Sequence, residues 1–244
     1  MYALQSVLAA AVSPKRRATC GDRHSLWPRV RRLMTMTSLV LVLVGPWASQ
    51  VALSHPHSWV DLSVQLETDS EGRVVALRQI WRLDPFYSLV LLEEIDADEE
   101  GRDAALDRLG GDMLTSLAPR DFFTEAEIDG EKVVFQGVSD ATVMERDERI
   151  VLHFRLPLAE PMELAGSTLE YRVYDPSYYV EVVHEADADG PLDEALTAPD
   201  GCQASVIIAE PDPDKVMAAA QLDVDDSAPE GLGRFFAETG RVAC

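Results

Sequence analysis

The chain has 244 residues, with 43 Asp and Glu against 21 Lys and Arg, 47% apolar residues and three cysteines. From residue 55 onward the imbalance sharpens to 14 basic against 42 acidic residues, a net of −28. A surface of that sign repels nucleic acid and anionic lipid and concentrates cations, which argues against a nucleic-acid binder; solubility in an acidic or salty habitat would produce the same balance.

The first 54 residues differ in kind. Basic residues run from Lys15 to Arg32, an apolar run covers Leu39 to Val44, Gly45-Pro46 breaks it, and Ala52-Leu53-Ser54 supplies small residues for a peptidase. This is the order of a Sec-type signal peptide with an extended n-region over residues 1–54. The apolar run is shorter than the ~20 residues a membrane span needs. The expected product is a periplasmic domain of residues 55–244 with no direct membrane span after processing; an uncleaved anchor is the alternative. Its length suffices for one domain with a full core. Cys20 leaves with the leader, so Cys202 and Cys244 are expected to pair as a disulfide in an oxidising compartment. Such a loop closure is worth about 3–4 kcal/mol on the chain-entropy model. Paired thiolate metal ligands are the alternative.

Taken in order, Ser58 to Thr68 and Val74 to Leu83 alternate as strands around the turn Asp69-Ser70-Glu71-Gly72, which predicts a hairpin. Asp84 is a candidate helix cap with Pro85 at the first position. Phe86, Leu89, Val90 and Leu92 then have helical spacing, and a second helix is expected over 101–118, weakened by Gly110-Gly111. The two form a helical insertion at about 84–118. Strands are expected at 122–128 and 132–136 across Asp129-Gly130, then at 138–145, 149–156, 169–174, 178–184 and 203–209. Helices are expected at 215–222 and 231–239. The fold class that follows is α+β, mainly β: an antiparallel β-sandwich-like domain with a helical insertion and C-terminal helices.

Chemistry concentrates at Ser54-His55-Pro56-His57-Ser58-Trp59-Val60-Asp61. Residues i and i+2 of a strand face the same way, so His55 and His57 can share a divalent metal. Cleavage after Ser54 would add the His55 α-amine. Pro56 has no N–H, which excludes the square-planar amino-terminal copper/nickel motif. The hairpin returns Asp84 towards this end. Asp175, at the Asp175-Pro176-Ser177 turn inside a tyrosine-rich stretch, and His184 are the further candidate ligands. Two nitrogens and a carboxylate suit zinc or nickel, with copper possible. His153 reads as a packed strand residue, and the acidic run Glu93 to Glu100 as solvated surface, since neither it nor Asp187-Ala188-Asp189-Gly190 completes a calcium loop. No nucleophile elbow, Walker loop, dinucleotide fingerprint or H-E-x-x-H motif is present, so no enzyme is expected on motif grounds.

Three blocks, His55-Pro56-His57-Ser58-Trp59-Val60-Asp61, Trp81-Arg82-Leu83-Asp84-Pro85-Phe86-Tyr87-Ser88 and Val173-Tyr174-Asp175-Pro176-Ser177-Tyr178-Tyr179, resemble in order a bacterial family catalogued as domain of unknown function number 1007. That family is often labelled the periplasmic component of an uncharacterised ABC-type transport system, and members accompany permeases of the nickel/cobalt type or are tied to zinc acquisition. The resemblance implies a periplasmic divalent-metal-binding accessory of such a permease. A metal-free partner-binding module, or a copper redox protein using an amino-terminal histidine, are the competing expectations. The strand-rich pattern differs from the two α/β lobes of a typical solute-binding protein, and there is no long histidine-rich loop for metal storage.

Overall fold

A computed structural model describes residues 56–185, 192–222 and 228–244. The expected signal peptide, His55, Asp187 and Asp189 lie outside the described residues. Strands β1 (Ser58–Thr68) and β2 (Val74–Leu83) form the expected hairpin, with Leu62 opposite Trp81 and Leu66 opposite Leu77. Then come helix α1 (Pro85–Asp96), helix α2 (Arg102–Leu117), β3 (Thr124–Ile128), β4 (Glu131–Lys132), β5 (Ser139–Arg146), β6 (Arg149–Met162), β7 (Thr168–Val173) and β8 (Val180–His184). The chain closes with β9 (Leu196–Thr197), β10 (Gln203–Ile207), helix α3 (Pro213–Ala220) and β11 (Thr239–Ala243).

These strands make two sheets. One runs β5-β6-β2-β1-β8, with β9 also on β1; the other runs β10-β11-β7-β3-β4. Period-two alternation explains the core. Val60, Leu62, Val64 and Leu66 of β1, with Leu152, Phe154 and Leu156 of β6, turn inward to meet Leu169, Tyr171 and Val242 of the second sheet. The fold is therefore α+β and mainly β, as expected. Most of the pairing is antiparallel; β8 and β9, however, both join β1 in parallel. A hairpin is legible from local turn residues, whereas a parallel partner arrives from more than a hundred residues away and leaves no local signal.

The C-terminal segment also differs from expectation. Residues 231–239 hold one short 3-10 turn, Leu232–Phe235, and are followed by β11, which pairs β10 on one side and β7 on the other. Gly240 explains this use of a weak strand former. A Cβ there would sit 2.2 Å from Cζ of Tyr171, so only glycine leaves room for the ring. Cys202 and Cys244, just beyond the paired Gln203 and Ala243, are joined by a disulfide with Cα atoms 4.2 Å apart.

A buried polar chain ties the sheets together. Trp81 Nε1 donates to Gln79 Oε1, Gln79 Nε2 donates to Thr124 Oγ1, and that hydroxyl donates to the Phe122 carbonyl, each at 2.9 Å. It anchors a strained turn in which Asp121, Phe122 and Phe123 all have positive φ, 48°, 53° and 58°. Left-handed non-glycine residues cost roughly 1–2 kcal/mol each, and the burial of Phe122 against Phe154 helps offset that.

Candidate functional site

The described chain begins beside the start of α1. The Asp84 carboxylate accepts from the N–H groups of Phe86 and Tyr87, each at 2.9 Å, and Pro85 fills the first helical position. Ser58 Oγ also donates to Asp84, and Asp84 N donates to the Trp59 carbonyl at 3.1 Å. Asp84 is thus a buried helix cap that ties α1 to the first turn of β1. Ser88, fully buried, fixes the other side: its hydroxyl donates to the Leu83 carbonyl and accepts from Ile150 N.

Asp175 is equally committed. It is buried, and its carboxylate accepts from Ser177 N and Oγ, Tyr179 N and Val180 N at 2.7–3.2 Å. It shapes the turn that delivers β8, and the turn is pressed from outside by Gly233, where a Cβ would lie 1.9 Å from the Asp175 carbonyl oxygen. Tyr178 takes the left-handed conformation at φ 54°.

His184 lies at the other end of β8, inside the sandwich. Its Nε2 is 2.8 Å from the Tyr171 hydroxyl and its Nδ1 is 2.9 Å from Glu238 Oε2, which also accepts from His184 N at 2.6 Å. Burial, reinforced by the charge of Glu238, pushes the Tyr171 hydroxyl well above its ordinary pKa, so it stays protonated. With Tyr171 donating to Nε2, Nδ1–H donates to Glu238, and both ring nitrogens are occupied. Nothing in the local sequence marks Glu238 as the partner; β11 brings it there.

Of the predicted ligands, therefore, Asp84, Asp175 and His184 each serve a separate structural purpose. Asp84 and Asp175 stand next to the His57 segment, through Ser58 and Tyr179, whereas His184 lies at the far end of β8. Among the described residues no group of three or more His, Cys, Asp and Glu side chains is placed to hold a metal ion. His55, the second nitrogen of the expected donor set, lies outside the described residues, and a metal centre on His55, His57 and a carboxylate stays a proposal. His57 is exposed, stacks its ring on Tyr179 at 4.4 Å, and donates its N–H to the Tyr179 carbonyl at 2.9 Å. The acidic run is ion-paired surface, with Asp96 bound by Arg102 and Asp98 and Glu100 by Arg108.

The same corner exposes apolar side chains. On α1, Ser88, Leu91, Leu92 and Ile95 face the core, while Phe86 is 76% exposed, Leu89 57%, Val90 51% and Tyr87 48%. Trp59 and Tyr179, on the adjoining segments, are exposed too. The sequence signal for this was present: Phe86-Tyr87-Ser88-Leu89-Val90-Leu91-Leu92 places apolar residues at nearly every azimuth of a helix that has only one buried face.

On the outer face of the first sheet, the carboxyls of Asp61 and Glu185 are neighbours. Burial and the hydrogen bond to Glu185 raise the Asp61 carboxyl despite Arg149. Burial alone would raise Glu185 as well, but Asp61 and Arg82 outweigh it and hold it low. Asp61, Arg82, Glu185 and His153 line a polar hollow of about 240 Å³. Burial lowers the His153 imidazole, aided by Arg146 and Arg78.

Two packed sheets, a capped helical insertion with an apolar outer face, and an amino-terminal strand that starts beside that face define a β-sandwich-like domain. A family model described as Protein of unknown function (DUF1007) matches residues 39–244, and the chain belongs to that family. It is also similar to an uncharacterized protein of Haemophilus influenzae, 23% identical over 209 residues that cover 83% of this chain and 97% of the relative. Among the described residues no helix is long and apolar enough to cross a membrane.

Proposed function

We propose that the domain is a docking module, an accessory that binds a membrane-protein partner through α1 and the adjoining strand ends. One observation carries this reading: Phe86, Tyr87, Leu89 and Val90 stand in solvent on a helix firmly anchored through Asp84 and Ser88. A contiguous exposed apolar face on a rigid element marks an interaction surface. The face runs into exposed Glu93 and Glu94 and the acids beyond them. It suits a partner whose apolar contact is flanked by Lys and Arg. The partner class comes from the resemblance: a permease of the nickel/cobalt type, met on the periplasmic side.

A second reading, divalent-metal carriage, is favoured by exposed His57 at the border of this face, two residues from His55. A metal held there would sit at the docking surface, placed for transfer. Ligand imidazoles must be neutral to bind, so metal affinity should fall as the solution is acidified.

The test is capture of the detergent-solubilised permease by the purified protein. Phe86→Ser/Leu89→Ser should weaken capture at least tenfold, while undiminished capture would sink the docking reading. Competition with a chromophoric chelator, on protein whose amino terminus is fixed by mass spectrometry, tests the second. Equal zinc and nickel affinities for the wild type and His55→Ala/His57→Ala would leave a metal-free module.

A further inference from the structure

The cationic side chains of this acidic domain are almost all spoken for. From residue 55 onward there are 14 Lys and Arg residues. Eleven arginines lie in ion pairs with carboxylates, and Lys215 stands 4.3 Å over the Phe235 ring. The remaining two, Arg120 and Lys132, have no ion-pair or hydrogen-bond partner among the described residues, and both line one cavity of about 400 Å³. That coincidence is informative in a chain with such an excess of carboxylates, where a cation without a partner is the exception. Asp121 and Glu230 line the cavity as well; unpaired acids are common here and carry no such information.

The rest of the wall is apolar or already neutralised. Phe123, Val133, Val134 and Phe135 supply hydrocarbon. Glu125 is held by Arg234 at 2.8 Å, Arg172 at 3.5 Å and the Tyr174 hydroxyl at 3.0 Å, so its charge is spent within the protein. The rim is fixed by the left-handed turn at Asp121–Phe123, whose Phe123 carbonyl accepts from Tyr174 N at 2.9 Å. A cavity of this size with an apolar wall and a few converging polar groups is the usual form of a small-molecule site. Guanidinium and ammonium groups select an anionic oxygen cluster.

We propose that this cavity binds a small carboxylate that carries an apolar group of about phenyl or branched-acyl size. The carboxylate meets Arg120 and Lys132, and the apolar group lies against Phe123, Val134 and Phe135. This is independent of the docking face on α1. Trp81 stacks on Phe123 at 6.1 Å, so its fluorescence reports occupancy.

Calorimetric and fluorescence titrations with 3-phenylpropionate, phenylacetate and hexanoate, each beside its neutral alcohol, test this. At least one acid should bind saturably, about tenfold more tightly than its alcohol, and more weakly as salt is raised. Arg120→Gln/Lys132→Gln, both exposed positions, should abolish the preference for the acid while leaving the thermal midpoint unchanged; Lys215→Gln should leave affinity as it is. Equal binding of acid and alcohol, equal loss in the Lys215→Gln control, or no saturable binding of any acid below about 10 mM overturns the proposal.

Discussion

The interior of the sandwich and the outer face of α1 invert the usual partition. Inside lie Asp84, Asp175, Gln79 and the Tyr171–His184–Glu238 set, polar groups that are hydrogen-bonded to one another or to backbone. Outside stand Phe86, Tyr87, Leu89 and Val90 with solvent around them. A satisfied buried polar group specifies how chain segments meet. An exposed apolar group on a rigid helix adds little to the fold and marks a candidate contact surface. Thus residues whose types suggest chemistry hold the structure, and residues whose types suggest core form the candidate contact. Substitutions should separate the two regions: the first should cost stability and the second should cost only binding.

The largest effect is expected where the backbone leaves no room. Gly233→Ala would drive a Cβ into the Asp175 carbonyl, and Gly240→Ala into the Tyr171 ring. Each should destabilise by about 3 kcal/mol or more, at the upper end of overpacking penalties. Chemical denaturation measures it, and a loss below about 1 kcal/mol would mean that these close approaches are not made.

Next come the saturated polar groups. Asp175→Ala strips four donors of their acceptor and should cost about 2–3 kcal/mol. Tyr171→Phe leaves Nε2 of His184 without its partner and should cost about 1–2 kcal/mol. His57→Ala and Phe86→Ser, both on the surface, should stay within about 0.5 kcal/mol of wild type. If Asp175→Ala were neutral in stability but lost metal, Asp175 would act as a ligand rather than as a structural acceptor.

How far the sequence carries this contrast depends on range. The β1–β2 hairpin and α1 were legible because alternation, the Asp69-to-Gly72 turn and the Asp84-Pro85 cap all act within a few residues. α2 runs through Gly110-Gly111, and Gly110 packs so closely on Val143 of β5 that an added Cβ would lie only 3.1 Å from its Cγ2. That is a tertiary contact no propensity contains. β11 was not expected, because Thr-Gly-Arg-Val-Ala is a poor strand in isolation, and its role appears only once Tyr171 is opposite Gly240. The candidate site was legible only in part. His57 was placed at a strand start from local pattern, but the hydrogen bonds that Asp175 and His184 make within the fold depend on segments distant in sequence.

The smallest effect expected concerns Glu181, on β8 opposite Trp59. Burial raises its carboxyl pKa above the usual glutamate value, and the charge of Glu238 adds to this. The folded state therefore holds a proton on Glu181 more tightly than the unfolded state does. By linkage, its contribution to stability is greatest below the unfolded value of about 4.5, where both states are protonated, and falls as pH rises through the folded value. At pH 7 the ionised side chain opposes folding. Glu181→Gln removes that opposition and should raise stability at pH 7 by about 0.3–0.5 kcal/mol, since Glu181 is only partly buried and solvent screens much of the repulsion. The gain should vanish near pH 3.5, where the carboxyl and the amide are both neutral. Thermal melts of the pair across that range measure the difference. A variant less stable than wild type at pH 7 would mean that the carboxylate is held by an attraction rather than opposed by Glu238. Glu181 would then belong with Asp84 and Asp175 among the polar groups that bind the fold together.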